Sequence, residues 1–121
     1  MAVNVEFSPK TLSQGVPYQH NGEIASVNGA IQAVAGGQVF ITKAGVCALT
    51  LAAPYAPYAR LTIISTTANA HTVTVANGIG GAGSGADVGT FGGAIGDGVT
   101  LISYNGYWYV EPGTNLNVTF A

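Results

Sequence analysis

The feature that most constrains this chain is a two-residue turn near its C-terminus. Two runs of β-forming residues are separated only by Asn105 and Gly106. Both residues tolerate the positive φ angles of a type I′ turn, whose twist suits an antiparallel hairpin. A turn of this length also fixes the register, in which Tyr104 pairs with Tyr107. The sequence therefore predicts a β-hairpin over residues 99–110.

Neither face of this hairpin is suited to exposure to water. Side chains alternate along a strand, and each face receives large apolar or aromatic groups. One face carries Val99, Leu101, Ser103, Trp108 and Val110. The other face carries Thr100, Ile102, Tyr104, Tyr107 and Tyr109. We predict that the first face joins a core containing Leu61, Ile63, Leu101, Trp108 and Val110. We predict that the second face is an interface with another chain, through Tyr104, Tyr107 and Tyr109.

The low charge of the chain supports an interface. Charged residues make up 7% of the sequence, against roughly a quarter in ordinary soluble domains. Low charge favours association, so we expect a subunit of an assembly. The alternative is an extracellular-type β domain kept soluble by Ser, Thr, Asn and Gly. A net charge of −2 with three Lys and Arg residues offers no basic patch for nucleic acid. The short, interrupted apolar runs do not predict a membrane-spanning helix.

The chain divides into an N-terminal arm, residues 1–22, and a β domain, residues 23–121. In the arm Val3, Val5 and Phe7 alternate with other residues, as in one short extended strand. We expect this arm to add a strand to a neighbouring chain; the alternative is a locally docked edge strand. The segment 1–7 has no basic region followed by an apolar one, so it does not predict a secretory signal.

The β domain shows about eight short strands and no convincing helix, which predicts a single antiparallel, jelly-roll-like sandwich. No internal repeat is visible, so a solenoid is not expected. The glycine-rich segment 77–98 is too long for a structureless loop, and a short strand is predicted at residues 88–91.

Residues suited to catalysis or metal binding are scarce. The glycines at 78, 80 and 83 match the dinucleotide-binding pattern, but the residues that follow cannot begin the required helix. His20, His71 and Cys47 have no metal-ligand spacing. Asp87 and Asp97 lack the alternating acidic pattern of a calcium loop. We therefore expect no metal, no cofactor and no enzymatic activity.

The exposed aromatic residues leave a choice between two roles. A sugar-binding groove could be formed by Tyr55, Tyr58, Tyr104, Tyr107, Trp108 and Tyr109. The alternative is packing, with Trp108 in the core and the tyrosines at a subunit interface. We favour packing.

Residues 61–75 and 96–110, together with 39–46 and 49–54, resemble small β-rich virion proteins of tailed bacteriophages. These are the capsid decoration, or cement, proteins and the related head-fibre modules. The resemblance implies a jelly-roll-like domain, commonly a homotrimer, that binds the major capsid protein on the outer face of an assembled capsid.

The resulting expectation is a structural protein of the virion surface, made in the host cytoplasm. The alternative is a receptor- or carbohydrate-binding module of a phage head or tail fibre. A hydrolase of cell-wall polymers is disfavoured, because the chain has only five acidic residues and two histidines.

Overall fold

The computed structural model of the chain describes residues 22–80 and 85–121, and these form ten β-strands without a helix. The all-β prediction is confirmed. The strands are β1 Gly22–Ala25, β2 Gly29–Ala30, β3 Gly37–Ile41, β4 Ala48–Leu51, β5 Arg60–Ser65, β6 Thr72–Val75, β7 Val88–Phe91, β8 Gly98–Tyr104, β9 Tyr107–Val110 and β10 Val118–Phe120. The strand predicted within the glycine-rich segment is β7, with the predicted bounds.

The strands form two mixed sheets of five. Sheet 1 has the order β1-β3-β5-β8-β9, and sheet 2 has the order β10-β7-β6-β4-β2. The first six strands alternate between the sheets, so that β1, β3 and β5 pair in parallel within sheet 1 and β2, β4 and β6 pair in parallel within sheet 2. This half of the chain is thus wound as three stacked coils.

The prediction of an antiparallel sandwich is wrong for this half, in which all four strand pairings are parallel. A parallel pair needs a crossover between its strands, and here each crossover runs through the opposite sheet. The crossovers differ in length, so the coils leave no regular repeat in the sequence.

The C-terminal half is antiparallel and contains the predicted hairpin. β8 pairs with β5 and β9, while β7 pairs with β6 and β10. Tyr104 lies opposite Tyr107, as predicted. Asn105 and Gly106 have φ angles of 53° and 83°, which suits the type I′ turn.

The core lies between the two sheets and contains the residues that the sequence placed there. Leu61, Ile63, Leu101 and Trp108 are each at most 1% exposed. Val110 is partly buried and packs against this core. The indole Nε1 of Trp108 donates a hydrogen bond to the carbonyl of Ala52 at 2.9 Å. The largest core side chain therefore also anchors the loop that follows β4.

The predicted N-terminal arm overlaps the described residues only at its last position. Gly22, assigned to the arm, already begins β1. Val3, Val5 and Phe7 lie outside the described residues.

Candidate functional site

The outer faces of the two sheets differ in chemistry. On sheet 2, Thr119, Thr90 and Thr72 are in register across three strands, and Thr74 lies beside Thr50 in the next row. Four of these threonines are exposed and Thr72 is half-buried. A face of hydroxyl groups can exchange hydrogen bonds with water, so this side of the molecule is suited to solvent.

The outer face of sheet 1 carries an apolar row instead. Ile24, Phe40 and Ile64 are in register across β1, β3 and β5. Leu116 forms an isolated bridge with Gly98, which lies opposite Ile64 in β8. The side chains of Ile24 and Leu116 are 65% and 56% exposed. Phe40 and Ile64, in the middle of the row, are half-buried. A partly exposed apolar row that continues across neighbouring strands is typical of an interaction surface.

Polar groups in the middle of this face are paired with each other. The hydroxyls of Thr62 and Thr100 lie 2.9 Å apart. The guanidinium of Arg60 donates to both carboxylate oxygens of Glu111, at 2.7 and 3.2 Å. This hydrogen-bonded pair lowers the pKa of Glu111 and raises that of Arg60. The two charges offset each other, so the face has little net electrostatic character.

Tyrosines occupy the end of the same face near the hairpin turn. Tyr104 and Tyr109 are 56% and 36% exposed, and Tyr107 is half-buried. The structure thus brings the three predicted interface tyrosines together. Tyr58 extends the group, because its ring centroid lies 6.4 Å from that of Tyr104. Sequence reasoning named Tyr58 as an aromatic candidate but gave no sign of this proximity.

Ser103 holds the loop that carries Tyr58 against the hairpin. Its hydroxyl donates to the carbonyl of Ala56 at 2.7 Å and accepts from the N–H of Ala59 at 2.8 Å. Its carbonyl accepts from the N–H of Tyr58 at 2.8 Å. The buried serine beside the turn therefore positions an exposed aromatic residue that is distant in sequence.

Among the described residues, the groups considered for catalysis or metal binding serve other roles or lie apart from one another; His20 lies outside the described residues. Asp97 is buried, and its carboxylate accepts from the N–H of Ala94 and the side-chain amide of Asn117. Asp87 is exposed. Burial raises the pKa of the Cys47 thiol. Within residues 22–80 and 85–121, no three His, Cys, Asp or Glu side chains are grouped closely enough to hold a metal ion.

The glycine motif that resembles a dinucleotide-binding loop also lacks its context. Residues 78–80 follow β6, and the described residues contain no helix to begin there. The third glycine of the motif, at position 83, lies outside the described residues. Over the part of the chain that the structure describes, no helix is long and apolar enough to cross a membrane.

Comparisons with protein-family profiles, curated proteins and solved structures found no match to this chain. The function is therefore argued from the geometry of the chain.

Proposed function

We propose that this chain is a structural virion protein that coats the outer surface of a tailed-phage capsid. The observation that supports this proposal is the apolar, charge-compensated outer face of sheet 1. The hydroxyl-bearing face of sheet 2 lies on the opposite side of the sandwich. A protein with one water-compatible face and one apolar face is suited to lying flat on another protein.

The apolar face would provide the binding free energy. Burial of apolar surface contributes about 25 cal/mol per Å² before the costs of association are subtracted. The Arg60–Glu111 pair compensates its own charge, so this face does not need an oppositely charged partner. Binding driven in this way persists at high ionic strength, because screening weakens only charge–charge attraction.

The proposed partners are the major capsid protein and further copies of this chain, in a homotrimer. Ile24, on β1, and Tyr109, on β9, lie on opposite edge strands of sheet 1, so one face offers two separate contact regions. One region would contact a neighbouring copy, and the other would contact the capsid. A closed trimer would present three copies of each weak capsid contact, and together these copies would bind more tightly than one contact alone.

The test combines the mass of the free protein with cosedimentation on capsids stripped of this chain. We expect a trimeric mass and saturable capsid binding that survives high salt. Ile24→Glu places a charge on the proposed contact face and should weaken trimer formation or capsid binding. Thr74→Glu is the matched control, because it places the same charge on an exposed strand position of sheet 2. A monomer that does not sediment with capsids would overturn the proposal, as would equal effects of the two substitutions.

A further inference from the structure

A preformed cleft lies between the loop at residues 54–57 and the hairpin turn at residues 104–106, with a volume of about 390 Å³. Tyr55 and Tyr104 line it and are 75% and 56% exposed. Tyr58, 76% exposed, stands beside Tyr104 with its ring inclined by 37°. Two exposed aromatic rings thus line one concave surface, and a third stands next to one of them.

The cleft is held by hydrogen bonds on both sides of the loop. Trp108 anchors the loop at Ala52, and Ser103 anchors it at Ala56 and Ala59. Because the loop is fixed before any ligand arrives, little conformational entropy is lost on binding. Rigid, preformed concave sites of this kind are typical of ligand binding.

Tyr58 has a backbone conformation that favours glycine. Its φ angle is 63°, in the left-handed region that a bulky side chain rarely adopts. Such strain persists only where the surrounding structure imposes it, and it is concentrated at functional sites. Since the ring is largely exposed, it contributes little to the core in return.

The chemistry of the cleft fits an uncharged, hydroxyl-rich ligand. Its lining consists of tyrosine, proline, alanine, glycine and asparagine. Tyrosine presents an apolar ring face and a hydroxyl that hydrogen-bonds. A pyranose ring offers the complementary pair, a C–H face and peripheral hydroxyls.

Tyr55 also lines a second cleft, of about 480 Å³. The acidic group of this second cleft, Glu23, already accepts the N–H groups of Gln32 and Ala33 at 2.9 Å. Two clefts that share one aromatic wall favour an extended ligand over a single sugar unit. We propose that the chain binds a neutral oligosaccharide along the two clefts, which share Tyr55 as a lining residue.

The cleft shares Tyr104 with the end of the contact face proposed above, but it does not include the apolar row of that face. Tyr55 and Tyr58 belong to the loop between β4 and β5, whereas the apolar row lies on the strands. Saccharide binding and capsid binding can therefore fail independently.

The test is titration of the full-length protein with maltohexaose, cellohexaose and hexa-N-acetylchitohexaose, followed by amide NMR. We expect at least one of them to shift the amide signals of residues 54–58 and 104–106. Tyr55→Ala should reduce the affinity at least about tenfold, which corresponds to ~1.4 kcal/mol. The disaccharide of the same series should bind more weakly than the hexasaccharide, because it cannot occupy both clefts.

Val46→Ala is the control, because it shortens an exposed apolar side chain that lines neither cleft and lies outside the proposed contact face. Tyr58→Asn is a second variant that removes a ring while keeping a residue tolerant of positive φ. We expect the first to leave the affinity unchanged and the second to lower it. The proposal is overturned if none of the three hexasaccharides shifts these signals, or if Val46→Ala weakens binding as much as Tyr55→Ala.

Discussion

The backbone N–H of Cys47 donates a hydrogen bond to Nδ1 of His71 at 2.9 Å, inside the core. Nδ1 must be unprotonated to accept it, so the proton of the neutral ring is on Nε2. That atom lies 2.9 Å from the hydroxyl of Thr67, which itself donates to the carbonyl of Lys43. A protonated imidazolium would place an N–H group against the N–H of Cys47. The contact therefore requires neutral histidine.

The first prediction concerns the pH dependence of stability. Burial lowers the pKa of His71 below its ordinary value, so the unfolded chain takes up this proton at a higher pH than the folded chain does. The stabilisation from neutral His71 is complete above about pH 6.5. This stabilisation is lost progressively as the pH falls from that value to the lowered pKa of His71 in the folded chain. Urea unfolding across this interval should give a free energy of unfolding that decreases toward acid.

His71→Gln is the control for this prediction, since glutamine does not titrate. The variant should be less stable at neutral pH, but its free energy of unfolding should vary less across the interval. His20 is present in both proteins and cancels in the difference. Equal pH slopes for the two proteins would contradict the assignment to His71.

The second prediction concerns Gly98, where β8 passes close to β5. A Cβ atom at this position would lie 2.5 Å from the carbonyl oxygen of Ile63. Because the obstacle is backbone in a central strand, Gly98→Ala should reduce the free energy of unfolding by about 1–3 kcal/mol. Chemical denaturation measures the change. Gly45→Ala is the comparison, because a Cβ there would meet no atom within 4 Å; a similar loss in both variants would show that close packing is not the cause.

The third prediction uses the backbone strain at Tyr58. Its φ of 63° is readily adopted by glycine. Tyr58→Gly should therefore be more stable than Tyr58→Ala by about 1 kcal/mol, because only alanine retains the steric cost of the left-handed conformation. Thermal and urea unfolding of the two variants provide the measurement. Both lose the same ring, so the difference between them isolates the backbone; equal stability would mean that the loop relaxes when the ring is removed.

Local signals in the sequence were sufficient for the hairpin. Asn105 and Gly106 specify one turn type, and that turn fixes every pair in the ladder and which side chains share a face. The tyrosine-bearing face followed from the same alternation. These inferences needed no knowledge of contacts outside residues 99–110.

The three coils could not be predicted in the same way. β2 has two residues and β4 has four. The residue pattern of such short strands does not distinguish a parallel partner from an antiparallel one. The parallel pairing of Val39 with Ile63 joins two strands of sheet 1 between which the chain passes through sheet 2. The contact of Tyr58 with Tyr104 likewise depends on the hydroxyl of Ser103, 44 residues from Ala59. Interactions at that separation leave no pattern in a local window.

The threonine rows of sheet 2 have a consequence for any particle built from this chain. An assembly that covers the outer face of sheet 1 exposes those hydroxyls as its own exterior. Dispersion of particles coated in this way would depend on hydration of these hydroxyls, since the chain has few ionised groups for mutual repulsion. Their colloidal stability should then change little between dilute buffer and brine.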